Sequence, residues 1–274
     1  STPPFQNAMA MDANRCGIPV VYGFCRGVGS VSYAAAVLLL GFVLERHAPT
    51  LLLPVFAALT ACGLLAMSGF RLPERPDEAA DRPAEHRSIA AVLRSHPRFA
   101  LTLLGCMFFF LTHTISNTYM NALVGKAGGT ASAVGTSLAI SAVLELPAMT
   151  LVSRLQKRFS PGFFLRFAAG AEVVKFLIFY LARSMPLIYL GHCMQFFQFA
   201  VYAPATVYYV AAVLPERDQL KGQSLIFVAG SGLGGALGNL LGGRLLDRSG
   251  IQAALLLGTV SAAASLLTFC LSTR

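Results

Sequence analysis

The chain has 274 residues, of which 55% are hydrophobic and only 12% charged, with a formal net charge of +9 and a mean hydropathy of +0.65. Soluble domains carry about 25% charged residues. This chain therefore has too few to solvate a water-borne globule, and its apolar residues fall in long blocks of the kind that cross bilayers. Lys and Arg lie between those blocks rather than along one helical face, which argues against nucleic acid as a partner and for the basic loops of a multi-pass membrane protein.

Eight apolar spans are predicted, at 27–44, 49–70, 99–124, 132–153, 163–182, 186–214, 224–243 and 251–271. Each is near or above the roughly 20 residues that a helix needs to cross about 30 Å of hydrocarbon. No segment of about ten residues shows the alternation of a membrane β-strand, so the expected fold class is all-α, a polytopic membrane protein with eight transmembrane helices. Gly and Ser dilute the first and seventh spans. Residues 71–98 interrupt the series with Pro and charge, including the run Pro-Glu-Arg-Pro-Asp-Glu at 73–78; that composition makes a linker, with a short amphipathic helix expected over 88–94. The expected division is 1–70 as the end of an N-terminal half with two transmembrane helices, 71–98 as a cytoplasmic linker, and 99–274 as a C-terminal six-helix bundle. With the linker in the cytoplasm, fifteen Lys/Arg fall on that side and five on the other, Lys175 lying within a span. This bias predicts that both chain ends face the cytoplasm. Trp is absent, so anchoring at the interface falls to Tyr and the basic flanks.

Several polar side chains interrupt the apolar blocks. Glu145 sits in the middle of the fourth span, where an ionised carboxylate is costly unless it faces a cavity, is paired, or is protonated; a proton-coupling or substrate-binding role is expected. Glu172 and Lys175, three residues apart in the fifth span, share a helical face, either as a self-neutralising ion pair or as part of a substrate network. His113, Asn117 and Asn121 recur every fourth residue in the third span among Thr112, Thr114, Ser116, Thr118 and Tyr119, a stripe too polar for lipid that lines water or another helix. His192, Gln195, Gln198 and Tyr202 form a second stripe in the sixth span. An unperturbed histidine titrates in the physiological range, so His192 is expected either as a proton relay or as a hydrogen-bonded core residue, and Pro204 is predicted to kink this helix. In the seventh span, Gly230, Gly234, Gly238 and Gly242 repeat at the spacing that lets helices approach closely. Gly230-Ser-Gly-Leu-Gly-Gly235 has the letters of a dinucleotide loop but no βαβ context around it. Arg154, Lys157 and Arg158 supply topogenic charge or a gate contact. The six cysteines include no C-x-x-C pair, so neither a metal site nor a disulfide framework is expected. Nucleophile elbows and phosphate-binding loops are missing too; no cofactor is expected, and the chain reads as not an enzyme.

Four local patterns carry a family resemblance. Tyr22-Gly-Phe-Cys-Arg26-Gly-Val-Gly29-Ser30 resembles the Y-G-x-x-R-x-x-G-S start of the fifth helix in the major facilitator branch that contains the lactose and phenylpropionate permeases. Glu145-Leu-Pro147 resembles that branch's eighth helix, His192-Cys-Met-Gln-Phe196 its tenth, and Gly243-Arg-Leu-Leu-Asp247-Arg248-Ser-Gly250 the superfamily's G-x-L-x-D-R-x-G ending. The resemblance implies helices five to twelve of a twelve-helix fold. The first four helices of the same transporter would then be a missing partner, and a start at Ser1 rather than Met fits a longer native protein. It further implies a secondary active transporter in the bacterial inner membrane, with the lipid bilayer, a small-molecule substrate and protons as partners. The expected activity is proton-coupled uptake of a small polar or anionic organic solute, with Glu145, His113, Asn117, Glu172, Lys175, His192 and Gln195 as the substrate- and proton-binding residues. Phe108, Phe109, Phe110, Phe196 and Phe197 keep open a proton-coupled drug or metabolite exporter. A membrane-embedded enzyme or a non-transporting sensor would need catalytic residues clustered at one interface.

Overall fold

A computed structural model describes residues 22–46, 48–69, 88–156 and 158–273, which are helical throughout with short connections and contain no strand. Helices α1 (Tyr22–Leu44) and α2 (Leu52–Ser68) come first. Most of the predicted linker lies outside the described residues. Its described end carries α3 (Ile89–Ser95), the short helix expected there, whose Ser88 cap accepts from the Ala91 N–H. Next come α4 (Pro97–Thr118) and its short continuation α5 (Met120–Lys126), α6 (Ala131–Leu155) and α7 (Pro161–Leu181). Proline opens both α4 and α7, where its missing N–H costs nothing and its φ is already helical. Then follow α8 (Met185–Cys193), a 3₁₀ turn (Met194–Phe196) and α9 (Phe199–Val213). Helix α10 (Glu216–Phe227) runs through a π segment (Val228–Gly234) into α11 (Gly235–Ser249), and α12 (Ile251–Ser272) closes the described chain.

Among the described residues, five helical stretches are long and apolar enough to cross a bilayer: Pro97–Thr118, Ala131–Val152, Met185–Val213, Arg217–Ser249 and Ile251–Ser272. Helices α1 and α2 supply the shorter apolar stretches Val28–Leu44 and Leu52–Ala66. Helix α7 has the length but carries Arg166, Glu172 and Lys175. It accommodates the last two by turning them inward, to 0% and 1% exposure.

Helix α4 lies at the centre of the packing, against α12, α11 and the π segment, while α12 also packs on α7, α7 on α9, and α6 on α1, α8 and α9. One core layer gathers Phe99, Phe109, Phe164, Tyr202, Tyr209 and Phe269; a second gathers Ile115, Met120, Phe176, Phe179, Ile188 and Leu255. Hydroxyls tie the helices together inside: Ser265 donates to the Gly105 carbonyl at 2.9 Å and Thr112 to that of Gly258 at 3.3 Å. Large apolar side chains such as Leu151, Leu181, Leu240, Val260 and Leu267 point outward. Buried hydroxyls bonded between helices, under an apolar exterior, are the arrangement hydrocarbon selects, and the chain is a multi-pass membrane protein.

The structure shows an irregularity in this span upstream of Pro204. Helix α9 continues through Pro204, and regular helix fails upstream, over Met194–Phe196 and at Gln198, with φ −100° and ψ −92°. The departure from regular helix lies where the 3₁₀ turn joins α8 to α9.

Candidate functional site

Polar side chains from α1, α6, α7 and the 3₁₀ turn meet inside the bundle. Glu145, half-buried on α6, precedes Pro147 within the helix. One of its oxygens, Oε2, accepts from the Ser30 hydroxyl of α1 at 3.0 Å; the other, Oε1, accepts from Gln195 Nε2 at 3.2 Å. Gln195 Oε1 in turn accepts from Lys175 Nζ of α7 at 3.0 Å. A carboxylate needs a donor and an ammonium needs an acceptor, so the two neighbours fix the direction of the Gln195 amide. Ser30, Glu145, Gln195 and Lys175 thus form one continuous chain of hydrogen bonds. Lys175 also lies 5.8 Å from the centre of the Phe179 ring, within cation–π range.

Glu172 stands beside this chain without joining it. Neither carboxylate oxygen has a hydrogen-bond partner among the described residues. The amine of Lys175 is directed to Gln195 rather than into a contact ion pair with Glu172, although Lys175 lies within electrostatic reach of both Glu172 and Glu145. His192, at the end of α8, shares a 2.8 Å hydrogen bond between its Nδ1 and Ser141 Oγ, rests against Phe179 at 5.1 Å between ring centres, and leaves Nε2 without a partner among the described residues.

His113 and Asn117 form a separate pair on α4. Asn117 Nδ2 lies 3.1 Å from His113 Nε2 and donates to the His113 carbonyl at 2.9 Å. The His113 ring stacks on Phe199 of α9, 4.4 Å between centres and 8° between planes. Tyr202 stacks on Phe109 at 3.9 Å in the same aromatic layer, and the buried amide of Gln198 has neither atom paired. Glu145, Gln195 and Lys175 are therefore in direct contact, Glu172 and His192 adjoin them, and His113 with Asn117 stands apart.

Sequence reasoning gave no role to Ser30 or Ser141. Both are hydroxyls that a transmembrane helix uses freely, so composition does not single them out. The available signal is positional: Ser141 lies one turn before Glu145, and Ser30 ends the quoted Gly-Ser pattern. A cavity of about 170 Å³ opens between α1 and α6 beside this chain, lined by Val28, Val31, Ser32 and Leu146. The described residues hold no cluster of three or more His, Cys, Asp or Glu that could bind a metal.

Residues 18–257 match the family described as "MFS_1 like family". The chain is 29% identical over 229 residues to the maltose permease of Geobacillus stearothermophilus, covering 83% of this chain and 57% of that protein. It is 23% identical over 236 residues to YwbF, an uncharacterized transporter of Bacillus subtilis (strain 168), covering 86% and 58%. Its fold is similar to the crystal structure of the major facilitator transporter FucP in the outward conformation, with a TM-score of 0.58 and 19% identity over 85% of this chain and 60% of the other. The chain spans a little over half the length of the curated relatives it matches. These relatives are transporters by name, and this chain belongs to the MFS_1 like family, a family of the major facilitator superfamily.

Proposed function

We propose that the whole protein is a secondary active transporter that couples proton entry to uptake of a small, uncharged, hydroxyl-rich solute of the sugar class. The observation that carries this reading is the chain from Ser30 through Glu145 and Gln195 to Lys175. Lys175 is already engaged and flanked by two carboxylates, so it is poorly placed to serve as the receptor of an anionic solute. Glu145 keeps free acceptor capacity after its two hydrogen bonds, as an ionised carboxylate offers about four lone-pair sites, and hydroxyl groups are its natural donors. The maltose permease relative supports the same class. Gln195, His192, Lys175 and Glu172 form the polar core of the site, and His113 with Asn117 is a separate polar pair on α4 that we assign to the same solute pathway. The exporter reading loses support because Phe109 is packed in the core while Phe197 is turned outward, so the phenylalanines do not share one cavity wall. The Geobacillus and Bacillus relatives favour a bacterial plasma membrane, and the charge bias favours a cytoplasmic linker and cytoplasmic chain ends.

The test is uptake by proteoliposomes of the whole protein under an imposed proton gradient, with labelled maltose, other neutral sugars and organic anions. Saturable accumulation of a neutral sugar that collapses with a protonophore is expected. Accumulation of anions alone, or uptake indifferent to the protonophore, would overturn the reading.

A further inference from the structure

We infer that Lys175 is a two-position switch that couples the protonation of Glu172 to assembly of the Glu145–Gln195 site. The structure holds one of the two positions. Lys175 donates to Gln195, and Gln195 donates to Glu145, which already accepts from Ser30. Glu145 is thereby provided for as an anion. Glu172 is not: it is 0% exposed and its oxygens receive no donor from the described residues. An unpaired buried carboxylate is among the costliest groups to place, and in this arrangement the carboxylic acid is the form its surroundings accept.

Glu172 and Lys175 are three residues apart on α7, neighbours on one helical face, and a lysine has a flexible stem with a compact ammonium at its tip. When Glu172 gives its proton to water, the new carboxylate becomes the strongest acceptor within reach. The Lys175 ammonium leaves Gln195 Oε1 for the Glu172 carboxylate, keeping its own protons. Gln195 then loses the donor that fixes its amide, and the Glu145 acceptor is no longer held in place. Proton on Glu172 means an assembled site; proton off means an ion pair within α7 and a disassembled site. A ligand that favours the assembled site favours the protonated state to the same degree, which is the linkage a symporter requires.

Among the described residues, Lys175 is the cation within electrostatic reach of Glu172. On α7 itself, Arg166 is turned to the Thr273 carbonyl at 3.0 Å. Around Lys175 lie His192 of α8, held by Ser141, Glu145 of α6 and His113 of α4. Helix α9 contributes tyrosines, and α12 has no charged residue over Ile251–Ser272, only Cys270 among titratable groups.

This inference rests on the transport reading for its purpose but not for its test. Infrared difference spectroscopy of the whole protein in membranes reads the C=O stretch of a buried carboxylic acid without any ligand. The wild type is expected to show that band at neutral pH and to lose it on alkaline titration. Glu172→Gln should lack the band, Glu145→Gln should keep it, and Lys175→Met should keep it to more alkaline pH, since the charge that stabilises the carboxylate is gone. A band unaffected by Glu172→Gln, or abolished by Glu145→Gln, would overturn the assignment. Should Glu172→Gln fail to fold, Lys175→Met decides alone: a band that disappears at the wild-type pH excludes the switch. In proteoliposomes Glu172→Gln should lose uphill accumulation of labelled maltose, which falls to the equilibrium level. Retained uphill accumulation also overturns the switch, whereas a wild type that exchanges no sugar removes the transport reading and leaves the infrared assignment standing.

Discussion

Glu45, just beyond the end of α1, illustrates how differently three carboxylates are treated in one molecule. It is exposed, yet its Oε1 accepts from the Thr130 hydroxyl at 2.7 Å and from the Ser132 N–H at 3.4 Å. The Thr130 side chain makes no capping hydrogen bond to the backbone of α6, so Glu45, just beyond α1, supplies the anionic cap that the first turn of α6 favours. Hydrogen bonds from the Ser132 and Thr130 hydroxyls hold its carboxyl below the usual carboxylate range. A carboxyl lowered by its contacts strengthens them above its ordinary titration range and loses that contribution as pH falls through its lowered value. Glu45→Ala should therefore speed amide exchange at Ser132 at neutral pH, and the difference from wild type should vanish as Glu45 protonates in acid. A difference that persists in acid would mean that the anion is not what caps the helix. Of the three carboxylates, Glu145 and Glu172 are legible in the sequence, because a charge within an apolar block demands an explanation. Glu45 is not, because an acid at a helix end is unremarkable until its partner, 85 residues away, is known.

The glycine repeat along the π segment and α11 is legible at the scale of an element, and its partner is α4. A Cβ on Gly238 would lie 2.7 Å from the Leu111 carbonyl oxygen and 3.0 Å from Thr114 Cβ; one on Gly242 would lie 2.6 Å from the Tyr119 ring. At Gly234 a Cβ would collide with the Met107 carbonyl. At Gly234 and Gly238 these are backbone approaches that cannot be relieved by turning a side chain, whereas Gly242 meets side chains. Gly238→Ala should therefore lower stability by about 1–3 kcal/mol, the usual cost of overpacking. Gly170→Ala, where a Cβ would meet nothing within 4 Å, should be neutral or stabilise by up to about 1 kcal/mol. Unfolding midpoints in mild detergent check both, and equal effects at the two sites would show that close approach is not what the repeat provides. The irregular turns at Met194–Phe196 and Val228–Gly234 are not legible. A π turn, a 3₁₀ turn and an α turn use the same residue types, and only the fit to neighbouring helices selects among them. Proline draws attention to position 204 for a local reason while the break falls upstream.

Across the whole molecule, apolar blocks and the charges between them made the fold class readable, since hydrocarbon leaves the backbone few alternatives. What the sequence does not expose is how far each buried polar group is satisfied, which depends on contacts between helices far apart in the chain. The two ends of the bundle also differ. Lys126 and Arg183 share one end: partial burial first, and then repulsion by Arg183, lower the Lys126 ammonium below its usual range. Arg98, Ser160 and Tyr209 line a common cavity of about 310 Å³ at the other end. In a background with the native cysteines replaced by serine, an impermeant maleimide should label Lys126→Cys in intact cells and Arg217→Cys only in inverted vesicles; the reverse pattern would invert the topology. The π segment has a last consequence, for how such a chain can change length. A π turn holds one residue more than the α turn it replaces, while the helices on either side keep their facing. Removing a residue within Val228–Gly234 would relax the turn to α-helix and leave Gly238 and Gly242 against α4. The same deletion made later, between Gly238 and Gly242, would swing everything beyond it by about 100° and carry Gly242 off that face. The π segment is thus the place along this helix where a single-codon deletion can be absorbed without repacking its neighbours.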